Sequence, residues 1–356
     1  HNAQKIVLDL RSNPGGLLNE AVDIVNFFVG PGQEVLKTKG KVDKFDKTYL
    51  TKNNAIDEDI PLVVMINRNT ASAAEIVAGA IQDLDRGIVV GQRSYGKGLV
   101  QISRPLSYNA TLKVTTAKYY IPSGRCVQAL DFTHRNEDGS VGHIPDSLIS
   151  EFKTKNGRTV KDGGGIMPDY SVENSRLSQV ATELYLRQFI FDYVTSFFWL
   201  NKEISPPGKF RLSNEEYDNF KSFLEERKFS YETATEDALQ RLLNIAEEEK
   251  YYEVNKELFD DLKFKLEHNL ENDLMVFKDE IVRLIEDEIM LRYYYEEGML
   301  KHSISKDKQI NRAVNILKDN SIYSSTLKGK TGLLSDEPVT YNTERGEKEN
   351  EPGISC

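Results

Sequence analysis

The stretch PLVVMIN, residues 61–67, constrains the fold of this chain more than any other. An unbroken apolar run is the pattern of a strand buried on both faces, with a helical layer on each side of its sheet. The segment RNTASA joins it to AEIVAGAIQDL (74–84), a strongly apolar helix, which leads into a short apolar strand, GIVVG (87–91). Ahead of it stand the strand KIVLDL (5–10), the turn NPGG (13–16), and LLNEAVDIVNFF (17–28), whose apolar residues recur at helical spacing. EVLKTKG (34–40) reads as an edge strand and DKTYL (46–50) as weakly extended. LVQI (99–102), LKVTTAKYY (112–120) and RCVQAL (125–130) are strand-like. Strand–helix alternation followed by strands predicts an α/β layered core with an antiparallel extension.

Beyond that core the pattern changes. Residues 131–165 are polar, end in Gly163, Gly164 and Gly165, and read as exposed loop, with IMPDYSV (166–172) as one closing strand. From about 176 to 318 the chain reads as helices, broken at PPG (206–208). Three units are therefore expected: a layered core over 1–172, a helical region over 173–320, and a polar, disordered tail over 321–356. Charge supports the division. Residues 213–300 hold 25 Asp/Glu and 11 Lys/Arg, against a net charge of −10 for the whole 356-residue chain. Most of those charges read as the solvated faces of amphipathic helices.

Bulk properties exclude several classes. The net charge of −10 argues against nucleic acid as a partner. The most apolar segment, QFIFDYVTSFFWL (188–200), is short and contains Asp192, so it does not span a bilayer. Cys126 and Cys356 show no metal-type spacing. The chain opens at His1 and runs almost at once into a strand, as the carboxyl-terminal part of a longer protein would. On that reading, lack of a signal segment says nothing about compartment.

GQRSYGKGLVQ (91–101) begins like a phosphate loop, with Gly91, Gly96 and Lys97 in Walker A spacing. A Walker A loop needs Ser or Thr after the lysine and a helix whose amino terminus faces the phosphates. Gly98 follows Lys97, and LVQISRPL reads as a strand, so nucleotide binding is excluded. No metal or other cofactor is expected either.

The lysine has another use. Ser72 stands at the junction between PLVVMIN and the apolar helix, spaced from Glu75 as in a capping box. A hydroxyl there can also act as a nucleophile, since a helix amino terminus offers backbone N–H groups to an oxyanion. Such a serine needs a base. The five histidines, His1, His134, His143, His268 and His302, lie outside the regular core elements, so a Ser–His pair stays open but a lysine fits better. A lysine base must be neutral, and burial away from carboxylates favours the neutral amine by the required ~4 kcal/mol. Lys97 is surrounded in sequence by Val89, Val90, Leu99 and Val100, and its flanking glycines permit a sharp approach to another segment. If Lys97 and Gln101 share a strand they point to the same side, and Gln101 could orient the amine without charging it.

These residues resemble the carboxyl-terminal processing peptidases, also called tail-specific proteases. In that family the catalytic lysine follows the serine by 25 residues and a glutamine stands four further on, as Ser72, Lys97 and Gln101 do here. LDLRSNPGGLL (8–18), AGAIQD (78–83), TTAKYYIPSGR (115–125) and GGGIMPD (163–169) match further motifs in the same order, over about 4–170. The resemblance implies a peptidase core of the crotonase/ClpP-like layered type with a mixed sheet, followed by an α-helical carboxyl-terminal region. It implies a serine endopeptidase in which Ser72 is nucleophile, Lys97 base and Gln101 orienting residue. The oxyanion hole would use the backbone N–H groups of Ala73 and of Gly15 or Gly16. Asp83 matches a family position and reads as structural, and Arg11 could anchor the NPGG loop. The family implies protein or peptide substrates engaged near their carboxyl ends and a bacterial periplasm or envelope, and a homo-oligomer stays open. Its PDZ domain and the earlier part of its core do not match any segment here. The competing classes are a catalytically silent module that binds partners through its acidic helices, and acyl-transfer or esterase chemistry on a related fold.

Overall fold

The computed structural model describes residues 3–329 apart from 136–140, 174–176 and 267–268. In chain order the elements are β1 (Ile6–Asp9), α1 (Leu18–Asn26), β2 (Glu34–Gly40), β3 (Lys47–Leu50), β4 (Leu62–Ile66), α2 (Ala73–Asp83), β5 (Ile88–Gly91), β6 (Leu99–Pro105), β7 (Thr111–Tyr120), β8 (Leu130–Arg135), β9 (Val141–His143), β10 (Glu151–Lys153), β11 (Thr159–Lys161) and β12 (Tyr170–Ser171). Helices follow: α3 (Gln179–Leu186), α4 (Phe189–Leu200), α5 (Asn214–Glu226), α6 (Ala234–Glu248), α7 (Tyr251–Val254), α8 (Lys256–Leu266), α9 (Leu270–Val276), α10 (Lys278–Ser303), α11 (Lys308–Lys318) and α12 (Asn320–Leu327). The chain up to Glu173 forms one compact unit together with the segment from Lys308 onward, and Asn174–Asp307 forms the other.

The first unit is built on a parallel sheet in the order β1-β4-β5-β12. All five residues of β4 are buried, and the two-residue strand period explains why all five are apolar. Leu62, Val64 and Ile66 pack with α1 and α2. Val63 and Met65 point the other way, onto Ala313, Ile316 and Leu317 of α11. The expectation of two covered faces holds, and the second cover comes from about 250 residues away in sequence.

A separate antiparallel sheet runs β3-β2-β7-β6. Parallel and antiparallel pairings therefore occur in two sheets rather than within one. β2 lies inside this sheet, between β3 and β7, and is not an edge strand. The region 131–165 is not a plain loop either. It contains the β8–β9 pair and the β10–β11 hairpin, whereas residues 125–129, expected in a strand, are irregular. The β8–β9 and β10–β11 pairs escaped the sequence reading for a physical reason. Short polar strands held by pairing with each other carry little apolar periodicity to read.

The expected border at 320 also shifts. α11 and α12 belong to the first unit, and α12 occupies residues assigned to the polar tail. Tyr323 Oη accepts a hydrogen bond from Leu62 N–H at 2.9 Å, and Tyr170 Oη and Thr326 Oγ1 are 2.8 Å apart. The rest of the tail, from 330, lies outside the described residues. The second unit is all helix around a core that includes Tyr193, Phe220, Ile281, Ile285 and Ile289. No described helix is long and apolar enough to cross a membrane.

Candidate active site

Ser72 caps α2, where β4 hands over to the helix. Its backbone has φ 58° and ψ −120°, a left-handed region that suits glycine. Holding an L-residue there costs about 1–3 kcal/mol, and such strain concentrates where a side chain must be presented. Ser72 N–H donates to Glu75 Oε2 at 2.8 Å, so the pair stands in capping-box arrangement. The hydroxyl is partly exposed at the amino end of a helix, where backbone N–H groups favour negative charge.

Lys97 lies in the irregular turn just before β6. Two groups bring it to Ser72. Lys97 N–H donates to Glu75 Oε2 at 2.8 Å, the oxygen that also takes the Ser72 amide. The buried Tyr119 hydroxyl lies between two carbonyls, 2.6 Å from Lys97 O and 3.2 Å from Ser72 O. One phenolic proton makes the shorter bond its principal one. Burial holds the Tyr119 pKa well above its ordinary value, so the phenol stays a donor. Among the described residues no carboxylate pairs with the Lys97 amine.

Glu75 is fully buried. Its Oε1 accepts from the Ser94 hydroxyl at 2.5 Å and from Gly96 N–H at 2.7 Å. Burial pushes the Glu75 carboxyl above its usual value, opposed by the hydrogen bonds from Ser94, Lys97, Gly96 and Ser72. Sequence reading saw Glu75 only as a cap partner and missed Ser94 and Tyr119. The signal for Glu75 was a carboxylate inside an otherwise apolar helix, a burial that demands several donors.

Gln101 sits differently from the sequence expectation. Lys97 precedes the strand, and β6 slips register against β7 between Val100 and Gln101, so strand parity does not relate the two side chains. Gln101 is exposed, and its amide donates to Thr115 Oγ1 at 3.4 Å.

The NPGG loop reaches the serine closely. Gly15 has φ +92°, and a Cβ there would lie 2.6 Å from Ala71 O, 2.7 Å from Ala73 N and 2.8 Å from Ser72 Cβ, so only glycine fits. Gly15 N–H is already given to Asn13 Oδ1 at 2.9 Å. Gly16 is exposed, with open space where a Cβ would stand. Arg11 pairs with Asp9 at 2.7 Å and donates to Gln309 Oε1 at 3.0 Å. A groove of about 660 Å³ runs over β2, β6 and β7 past Phe45, Leu99 and Tyr120, and its walls include neither Ser72 nor Lys97. Among the described residues no group of three His, Cys, Asp or Glu is placed to hold a metal ion.

Known families match two stretches of the chain. Residues 1–134 match the model of peptidase family S41, and residues 180–317 match that of the probable PDZ-protease C-terminal helical domain. Over its first 134 residues the chain is thus similar to peptidase family S41. It is 43% identical over 127 residues to the carboxy-terminal-processing protease of Bartonella bacilliformis, covering 36% of this chain and 29% of that one. It is 32% identical over 252 residues to a probable CtpA-like serine protease of Staphylococcus aureus, covering 68% of this chain and 47% of that one. The chain thus spans less than half the length of either relative. A solved photosystem II D1 C-terminal processing protease is 29% identical over 48% of this chain and 35% of that one, with a TM-score of 0.35.

Other residues in and around the motifs are framework. Asp83 and Arg125 form a fully buried ion pair at 2.8 Å, and Asp83 also accepts from Ser123 N–H at 3.0 Å. Arg158, in the β10–β11 hairpin loop, bridges Asp85 at 2.6 Å and Asp169 at 2.7 Å. Asp169 in turn accepts from Val89 N–H at 2.8 Å and from Gln82 Nε2 at 3.1 Å. The AGAIQD and GGGIMPD motifs therefore hold the end of α2 against the sheet.

Proposed function

We propose that this chain supplies the catalytic part of a serine endopeptidase that processes or degrades proteins near their carboxyl ends. The observation that carries the reading is that one carboxylate oxygen, Glu75 Oε2, accepts the backbone N–H of both Ser72 and Lys97, beside a serine in a strained backbone conformation and a lysine whose amine has no described acid partner. Ser72 Oγ attacks the scissile carbonyl carbon while its proton passes to the neutral Lys97 amine. The ammonium then protonates the departing amine as the carbon–nitrogen bond breaks. A water, deprotonated by the same amine, cleaves the resulting ester and restores the serine.

Gly16 and Ala73 are the better pair of oxyanion donors, because the Gly15 amide is engaged by Asn13. Gln101 serves to orient the lysine, which requires its side chain to leave Thr115. Family likeness supports a layered core of the crotonase/ClpP type, protein or peptide substrates, and a bacterial envelope location. It also supports a peptidase core followed by a helical region.

The test is cleavage of an unfolded protein by the full-length protease and by its Ser72→Ala and Lys97→Ala variants. Each variant should lose at least about 10³-fold in kcat, as expected when members of a nucleophile–base unit are removed. Near-normal cleavage by both would end the assignment.

A further inference from the structure

We propose that Glu75 is a positioning residue for the reaction, a buried carboxylate that fixes the nucleophile and the base in one frame without charging the base. This rests on the Ser72/Lys97 reading above. Its basis is the distribution of donors over the carboxylate. Oε2 takes the Ser72 and Lys97 amides, and Oε1 takes the Gly96 amide and the Ser94 hydroxyl. Two chain segments more than twenty residues apart thus hang from one side chain, which is itself held inside the first turn of α2.

The arrangement resolves a chemical conflict. A base built from an amine needs to be held near the serine, and a carboxylate is the strongest available anchor. An amine hydrogen-bonded to a carboxylate, however, is stabilised as ammonium and cannot accept a proton. Glu75 holds Lys97 by its backbone N–H, and four donors already occupy the two oxygens, so no free lone pair is offered to Nζ. The anchor and the titrating group are kept apart on the same residue. Ser72 is treated alike, tied to the carboxylate through its amide.

The experiment compares Glu75→Gln and Ser94→Ala with wild type in the full-length protease, using a peptide substrate and a fluorophosphonate that labels an activated serine. A glutamine amide offers one acceptor oxygen where the carboxylate offers two, so two of the donors lose their acceptor. For folded Glu75→Gln the expected result is a fall in kcat of about 100-fold with KM within about threefold, and a parallel fall in labelling rate, because small misplacement of reacting groups has that scale of effect. Ser94→Ala, which loosens the carboxylate but leaves both tethered amides, should lower kcat severalfold at unchanged KM. A wild-type kcat per folded molecule in Glu75→Gln overturns the proposal, and so does a loss that only tracks the folded fraction by circular dichroism. If Glu75→Gln does not fold, wild-type kcat in Ser94→Ala overturns it. Failure of the underlying reading is distinct, because Ser72→Ala and Lys97→Ala would then retain cleavage.

Discussion

At the scale of single residues, sequence motifs singled out Ser72 and Lys97 as candidates but not what holds them. Ser72 and Lys97 are legible because their neighbours are unusual: a serine at a strand–helix junction, and a lysine between glycines. Tyr119 and Ser94 were not legible, since each looks like an ordinary strand or turn residue and acts only through contacts with distant segments. Asp83 reads as structural in sequence, and its fully buried pairing with Arg125 fits that reading. Replacing one partner of a buried pair leaves the other charge unmatched, at a typical cost of about 3–5 kcal/mol. Arg125→Met should therefore lower the unfolding free energy by that amount in urea titration. A direct catalytic role for the pair would instead leave stability near wild type while removing activity.

At the scale of elements, β4 shows how far a pattern reaches. Its unbroken apolar run announced a strand covered on both sides, and the helix on one side, α2, follows it directly. The helix on the other side did not follow in sequence. α11 carries Ala313, Ile316 and Leu317 on one face, as many amphipathic helices do, and nothing local says which surface that face meets. Truncating a buried isoleucine typically costs about 2–5 kcal/mol. Ile316→Ala should destabilise the first unit by that amount in chemical denaturation, although residue 316 falls in the region read from sequence as a separate helical domain. No effect on the unfolding of the unit that contains Ser72 would show that α11 is not part of its core. Gln101 carries a similar lesson. Parity along a strand was a sound rule, but the register slip beside Gln101 arises from pairing with β7 and is invisible in β6 alone.

At the scale of the whole molecule, composition separated an acidic helical stretch from a more basic remainder, and the two compact units follow nearly that division. Within the helical unit, Glu286 and His302 are buried together 3.0 Å apart, with Lys306 also bonded to Glu286. Burial alone would raise the Glu286 carboxyl, but the hydrogen bonds from Lys306, His302 and Leu212 N–H outweigh it and hold the pKa below the ordinary 4.5. A carboxyl depressed in the folded state contributes stability above its unfolded pKa, and that contribution is lost as pH falls through the folded value. Glu286→Gln should thus destabilise the helical unit most near neutral pH, with the difference from wild type shrinking as pH falls below the ordinary carboxylate range. An equal difference at both pH values, measured by denaturant unfolding, would remove Glu286 from that role. By itself the sequence determined the layered α/β class and the helical region and singled out Ser72 and Lys97 as candidates, because hydrophobic period and motif spacing are local and survive without coordinates. Only the tertiary structure decided the second cover of the parallel sheet, the slip beside Gln101, the occupied Gly15 amide, and the carboxylate that ties Ser72 to Lys97. Each of these depends on which distant surfaces and donors meet, and a linear pattern does not record that choice.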